Sequence, residues 1–179
     1  MELAKLFTLE TGGISAADGA LKQPEVQLLT MAMWASEPIP FDPMEKALHI
    51  AYSKIKALDE RPNYKMVHEY PLSGKPPMMT HLFEDKSGNR IIAAKGAPEA
   101  IIEVSNLNET EKKQLTSILT NLGSKGYRLL GVGQTDFKGT DFPSKQQDFK
   151  FTFKGIVAFY DPPKENIREV LKDFDQAGI

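Results

Sequence analysis

The sequence predicts an α+β fold, a mostly antiparallel twisted sheet flanked by helices. Three observations carry that reading. Alternating apolar runs cluster in the middle of the chain without regular crossover helices between them. Short Gly/Asn and Gly/Pro turns separate those runs, as in hairpins. Two proline-led segments near the N-terminus instead read as helices, the second repeating its apolar residues at helical spacing. In the 179 residues, 41% hydrophobic and 26% charged side chains are an ordinary globular balance and exclude a disordered chain. A net charge of −2 gives no basic footprint, so no nucleic-acid partner is expected. With no cysteine, a disulfide scaffold, a thiolate metal site and a cysteine nucleophile are excluded together.

Taken in order, residues 3–9 read as a short strand ending at the Gly12-Gly13 turn. Pro24 opens a helix to about Ala35, since proline suits a first helical turn. A second helix runs from Pro43 to about Leu58, with Met44, Ala47, Leu48, Ala51, Tyr52, Ile55 and Leu58 on one face. Asp42 is its N-cap, and Glu45 in the first turn favours the helix dipole. Strands follow at Met66–Tyr70, Met78–Glu84 and Arg90–Lys95, the last two joined by Ser87-Gly88-Asn89. A helix starts near Pro98, and a longer one covers Glu109–Leu122 and stops at Gly123. Strands at Tyr127–Thr135 and Phe151–Phe159 flank a polar irregular loop at Asp136–Asp148. A final helix, Lys164–Gln176, follows Asp161-Pro162-Pro163, a stiff segment suited to a domain boundary. Two domains are therefore expected, residues 1–160 and a truncated start of a second at 161–179. Neither a secretory leader nor a span of about 20 apolar residues is legible.

One junction suggests chemistry. In Ile91-Ile92-Ala93-Ala94-Lys95-Gly96-Ala97-Pro98-Glu99, an apolar strand delivers a lysine at its end. Glycine there allows another molecule to approach the backbone, and the helix start adds free N–H groups that favour an anion. By itself, a Lys-Gly pair at such a junction is also a common turn. No Walker pattern or dinucleotide fingerprint accompanies it. His49, His68 and His81 fall on separate elements and form no recognisable metal spacing, so no metal site is expected.

Lys95-Gly96-Ala97-Pro98-Glu99 resembles a motif in the nucleotide-binding (N) domain of P-type cation-transporting ATPases. Four further segments resemble that family in the same order. They are Asp42-Pro43-Met44-Glu45-Lys46-Ala47-Leu48, Glu69-Tyr70-Pro71-Leu72-Ser73-Gly74-Lys75, Gly126-Tyr127-Arg128-Leu129-Leu130 and Asp161-Pro162-Pro163-Lys164. The resemblance covers nearly the whole chain and implies an ATP site. It implies adenine stacked on Tyr70 beside Leu130 and Glu45, with Lys75, Lys95, Gly96 and Arg128 serving the base and phosphates. The less favoured alternatives are Tyr70 as a core strand residue, Arg128 as a surface ion-pair partner and Glu45 as a helix-dipole residue. Leu72 stands where many animal members carry arginine, and Pro76-Pro77 alters the following loop.

The family's phosphorylated aspartate motif and its magnesium-binding motif do not occur. The implied role is a fragment that binds ATP without turnover, Mg2+ being supplied mainly by the missing phosphorylation domain. Its expected partners are ATP and the phosphorylation and actuator domains of the parent pump. Its expected place is the cytoplasmic side, with the membrane reached only through the parent chain and the fragment itself soluble. The hinge and short loops lean towards the calcium and proton pumps. The alternative from another class is a nucleotide-independent protein-interaction module on the same sheet surface.

Overall fold

In the computed structural model, which describes residues 1–55, 59–162 and 166–178, every strand pairing in the sheet is antiparallel. The strands are β1 (Glu2–Phe7), β2 (Ile14–Ala16), β3 (Tyr64–Ser73), β4 (Met78–Asp85), β5 (Arg90–Gly96), β6 (Arg128–Thr135) and β7 (Thr152–Tyr160). Their spatial order is β2-β1-β7-β6-β5-β4-β3, so the N-terminal strand closes against the last one. The helices are α1 (Gln23–Trp34), α2 (Pro43–Ile55), α3 (Pro98–Glu103), α4 (Glu109–Ser124) and α5 (Ile167–Gln176). The α+β architecture expected from the sequence is the one found. No helix among the described residues is long and apolar enough to cross a membrane.

Alternation along the strands divides the core into two layers. On one face, α1 and α2 cover Leu6, Val132, Val157 and Phe159 through Leu28, Leu29, Ala47 and Leu48. A neighbouring group on that face joins Met33, Trp34 and Tyr52 to Phe83 and Ala93. On the other face, Ile101 and Leu115 pack with Ile92, Ala94, Phe151 and Ile156. The apolar face of α2 is thus where its spacing puts it, with Ala47, Leu48 and Tyr52 buried; Leu58 lies outside the described residues. Asp42 caps α2 as expected, its Oδ1 accepting from Met44 N at 2.8 Å.

Two local expectations change, and one loop gains an anchor. Strand β2 lies in residues read only as following a turn. It is three residues long, and no period can be recognised over that length. Its Ser15 hydroxyl donates to the buried Glu25 carboxylate, which also accepts from Lys22 N at 2.7 Å. Helix α4 continues through Gly123 and is stopped by Gly126, whose φ of +80° takes the left-handed turn that glycine permits. The irregular loop at 136–148 lies where expected and is anchored to the sheet through Gln146. Gln146, 2% exposed, donates to Met78 O at 2.8 Å and to Ser73 Oγ at 3.1 Å, and accepts from Thr80 Oγ1 at 2.9 Å.

Gly96 is required by this packing. A Cβ there would stand 2.5 Å from both Met78 Cα and Pro77 O, and the next amide, Ala97 N, donates to Pro77 O at 2.8 Å. What approaches the glycine is the chain's own β4 entry, in place of the second molecule expected from the sequence. Gly96→Ala should therefore destabilise the domain by at least about 1–3 kcal/mol, as overpacking does. A urea midpoint unchanged from the parent would show that the strand entry yields freely.

Candidate functional site

Lys95 lies near the end of β5, and pairing with Met79 on β4 and Val132 on β6 fixes the face to which it belongs. That is the α1/α2 face. Its side chain is 5% exposed, and Nζ reaches Glu45 Oε1 at 2.5 Å and Ser36 Oγ at 2.9 Å. Glu45, 6% exposed, is delivered by the first turn of α2. Its Oε1 also accepts from Glu37 N at 3.2 Å, while its Oε2 is buried and has no hydrogen-bond partner. Burial pushes the Lys95 ammonium below the ordinary lysine range, and the Glu45 carboxylate pulls the other way. Among the described residues, two of its three N–H donors are engaged and one is free.

Other expected residues are divided between faces and ends of the sheet. Alternation along β6 puts Arg128 and Leu130 on the same face as Val132, hence on the Lys95 face. Arg128 is well exposed at the start of its strand, 3.9 Å from the Asp161 carboxylate. Tyr70 is on the opposite face, because it pairs with Thr80 and Thr80 with Ala94. Its ring belongs to the core with Phe149 and Ile101, edge-on to His68 and Phe149. Its hydroxyl donates to Pro143 O at 2.5 Å, and only 8% of the residue is exposed. The structure therefore does not bring Tyr70 together with Lys95 and Glu45. Lys75 is exposed at the tip of the β3–β4 hairpin.

Leu72 stands in the sequence only as a departure from the family's arginine. Between Tyr70 and Ser73 the β3 register slips by one residue against β4, a bulge. Ser73 still faces Gln146 on the Tyr70 side, so the slip turns Leu72 to the other side, opposite Met79. There it is 63% exposed on the Lys95 face. A strict period of two would have sent Tyr70 and Leu72 the same way, so their opposite facing is set by the bulge and cannot be read from spacing.

The family model for the P-type ATPase cytoplasmic domain N matches residues 41–166, well over half of the chain. The chain belongs to the P-type ATPase family, as its N domain. A calcium-transporting ATPase of Bacillus subtilis is 29% identical over 151 residues, covering 77% of this chain and 17% of the relative. A putative cation-transporting ATPase of Methanocaldococcus jannaschii is 25% identical over 171 residues, covering 96% and 19%. The human sodium/potassium-transporting ATPase subunit alpha-4 is 28% identical over 154 residues, covering 75% and 15%. This N domain thus spans less than a fifth of the length of these relatives.

Within the N domain, the Lys95 strand and the short helix α3 do not make one anion site. Lys95 points to the α1/α2 face, whereas α3 packs Ala100 and Ile101 into the opposite layer. The helix start and the lysine are adjacent in sequence and separated by the sheet.

The buried pair makes its own prediction. Lys95→Met should leave the Glu45 carboxylate buried and unpaired, costing about 3–5 kcal/mol. The double variant with Glu45→Gln should recover part of that loss. A single variant within 1 kcal/mol of the parent by urea unfolding, where about 3–5 is expected, would mean that the pair is solvated in solution.

Behind Glu45, His49 and Tyr52 on the same helix meet Arg61 from the following segment: Arg61 Nη1 lies 3.0 Å from His49 Nδ1, and its guanidinium stands over the Tyr52 ring at 5.3 Å. Burial, then the Arg61 charge, holds the His49 imidazole below the ordinary histidine range. The folded state consequently binds fewer protons than the unfolded one. The stability contributed by neutral His49 is complete above about pH 6.5. It is lost as the pH falls through the folded value. Arg61→Gln should raise the His49 midpoint in an NMR titration, and a midpoint that stays put would remove Arg61 as a cause.

Proposed function

We propose that this N domain binds ATP on the Lys95 face of the sheet and, in its parent pump, carries the γ-phosphate to the phosphorylation domain. The observation that carries the reading is the buried, unpartnered Glu45 Oε2 beside a lysine with a spare donor, on a face that also holds Leu130 and Arg128. Such a pair fits adenine, whose amino group donates and whose ring nitrogens accept. Leu72 and Leu130 supply apolar contact to the base. Tyr70 holds the hairpin from the other side of the sheet. Arg128, exposed at the start of β6, faces the phosphates, while Lys75 and Gly96 serve through the hairpin tip and the β4–β5 packing. Lys95 acts on the base end of the nucleotide, being too enclosed to follow the phosphates.

The transferred phosphoryl group needs Mg2+ to neutralise its charge, and this chain's own residues contribute only binding and orientation. Delivery to an acceptor on another domain makes this positioning catalysis, with no turnover by the isolated domain. Residues 161–179 serve as hinge and start of the phosphorylation domain. Helix α5 exposes Ile167, Leu171 and Phe174, which suits an element whose packing partner lies in another domain. Among the cation pumps the calcium- and proton-transporting branch is the reading we favour. Relatives named as a calcium-transporting ATPase and as a probable proton ATPase of Leishmania donovani support it. The domain works on the cytoplasmic side and meets the actuator and phosphorylation domains there.

One base contact and a few exposed charges give weak affinity, on the order of 0.1 to several mM. In an NMR titration, ATP should shift Leu72, Lys95 and Leu130 saturably and more strongly than GTP. Leu72→Asp should abolish those shifts without unfolding the domain, because the side chain is exposed. Tyr70→Phe should leave them in place. Shifts lost in Tyr70→Phe and kept in Leu72→Asp would return the base to the Tyr70 side, and no response to nucleotide at all would favour the interaction module.

A further inference from the structure

We propose that His81, Glu37 and Glu69 form a three-ligand site for a borderline divalent cation of the zinc class, next to the Lys95–Glu45 pair and independent of nucleotide. The three residues come from β4, from the segment after α1, and from β3. One ligand atom from each lies within 4.8 Å of the other two. Strand register accounts for two of them, since Glu69 pairs directly with His81. The third is brought in by α1, whose end places Ser36 and Glu37 over the sheet.

The decisive atom is His81 Nε2. The residue is 0% exposed, and this nitrogen is buried without a hydrogen-bond partner, 3.9 Å from Glu37 Oε1. On the other side of the ring, Nδ1 lies 3.1 Å from the Ser36 carbonyl oxygen, which can only accept. The proton of the neutral ring therefore resides on Nδ1, and the Nε2 lone pair points at the carboxylates. A backbone carbonyl fixing the tautomer from behind is the usual support of a histidine metal ligand. Burial favours the neutral ring, as ligation requires. The Glu37 carboxyl is pushed up by burial and by the neighbouring Glu69 and Glu45 charges, a crowding that a cation would relieve.

The chemistry of the donors selects the ion. One imidazole and two carboxylates carry two negative charges, matching a divalent cation. An imidazole nitrogen disfavours magnesium and calcium and suits zinc. Zinc ligands stand about 2.0–2.2 Å from the metal, so the three atoms must draw together by about an ångström. Glu37 is partly exposed and Glu69 exposed, so both can move while His81 stays fixed. Three protein ligands leave a fourth position to solvent. The histidine at position 49 is a poor competitor because the Arg61 guanidinium donates to its Nδ1, leaving its proton on Nε2.

The test is a zinc titration of the whole chain in chelator-free buffer at neutral pH, read by calorimetry and by long-range proton–nitrogen NMR of the histidine rings. One zinc per chain should bind with micromolar affinity. The His81 Nε2 resonance should move to a metal-bound position while His49 and His68 stay. Glu69→Gln and Glu37→Gln should each weaken binding by at least about tenfold, and millimolar magnesium should not compete. Because His81 is buried and its replacement risks unfolding, the exposed Glu69→Gln variant is the deciding one. Absence of saturable binding, zinc located on His68, or affinity unchanged in Glu69→Gln would each overturn the site.

Discussion

A lysine ammonium cannot be taken out of water without a partner, and the arrangement of this domain follows from how Lys95 is accommodated. Its position at the end of β5 sends it into the α1/α2 layer. Glu45 must then be delivered from the first turn of α2, and Ser36 from the end of α1. The two helices are thereby tied to one strand by groups that have little exposure of their own. Apolar packing of Leu28, Leu29 and Leu48 on Leu6 and Val157 supplies the bulk of the burial. The polar cluster fixes where that packing stops, because a displaced helix would leave one charge unpaired.

Ser36 also joins the two polar features of this face. Its hydroxyl accepts from Lys95, and its carbonyl accepts from His81. One residue at the end of α1 thus orients both the cation that faces the nucleotide in our proposal and the imidazole of the zinc-class site. Both lie on the α1/α2 face beside Glu37, while the opposite face is closed by α3, α4 and the aromatic loop of Phe137, Phe142 and Phe149. The closure explains why Tyr70, an aromatic in a family motif, is a core residue here.

Most of the element order was legible. Prolines at helix starts, glycine turns and the short apolar runs of β4, β5 and β7 carry local signals that tertiary packing reinforces. Membership of the P-type ATPase family was legible as well, because its motifs are contiguous stretches such as Lys95–Glu99. What failed to show was anything set by register or by distance along the chain. The β3 bulge reverses the facing of Leu72 relative to Tyr70. The requirement for glycine at position 96 comes from Pro77 and Met78 across the hairpin. Glu37, Glu69 and His81 converge from three segments with no spacing to announce them.

The sequence by itself therefore determined the fold class, the apolar face of α2, the cap at Asp42 and the family. These depend on residues within a turn or a strand of one another, where period and propensity act directly. Only the tertiary structure decided which side of the sheet each functional residue occupies. A side chain's face depends on cumulative register across paired strands, and one extra residue in β3 inverts it. That single inversion puts exposed Leu72, and not buried Tyr70, on the Lys95 face.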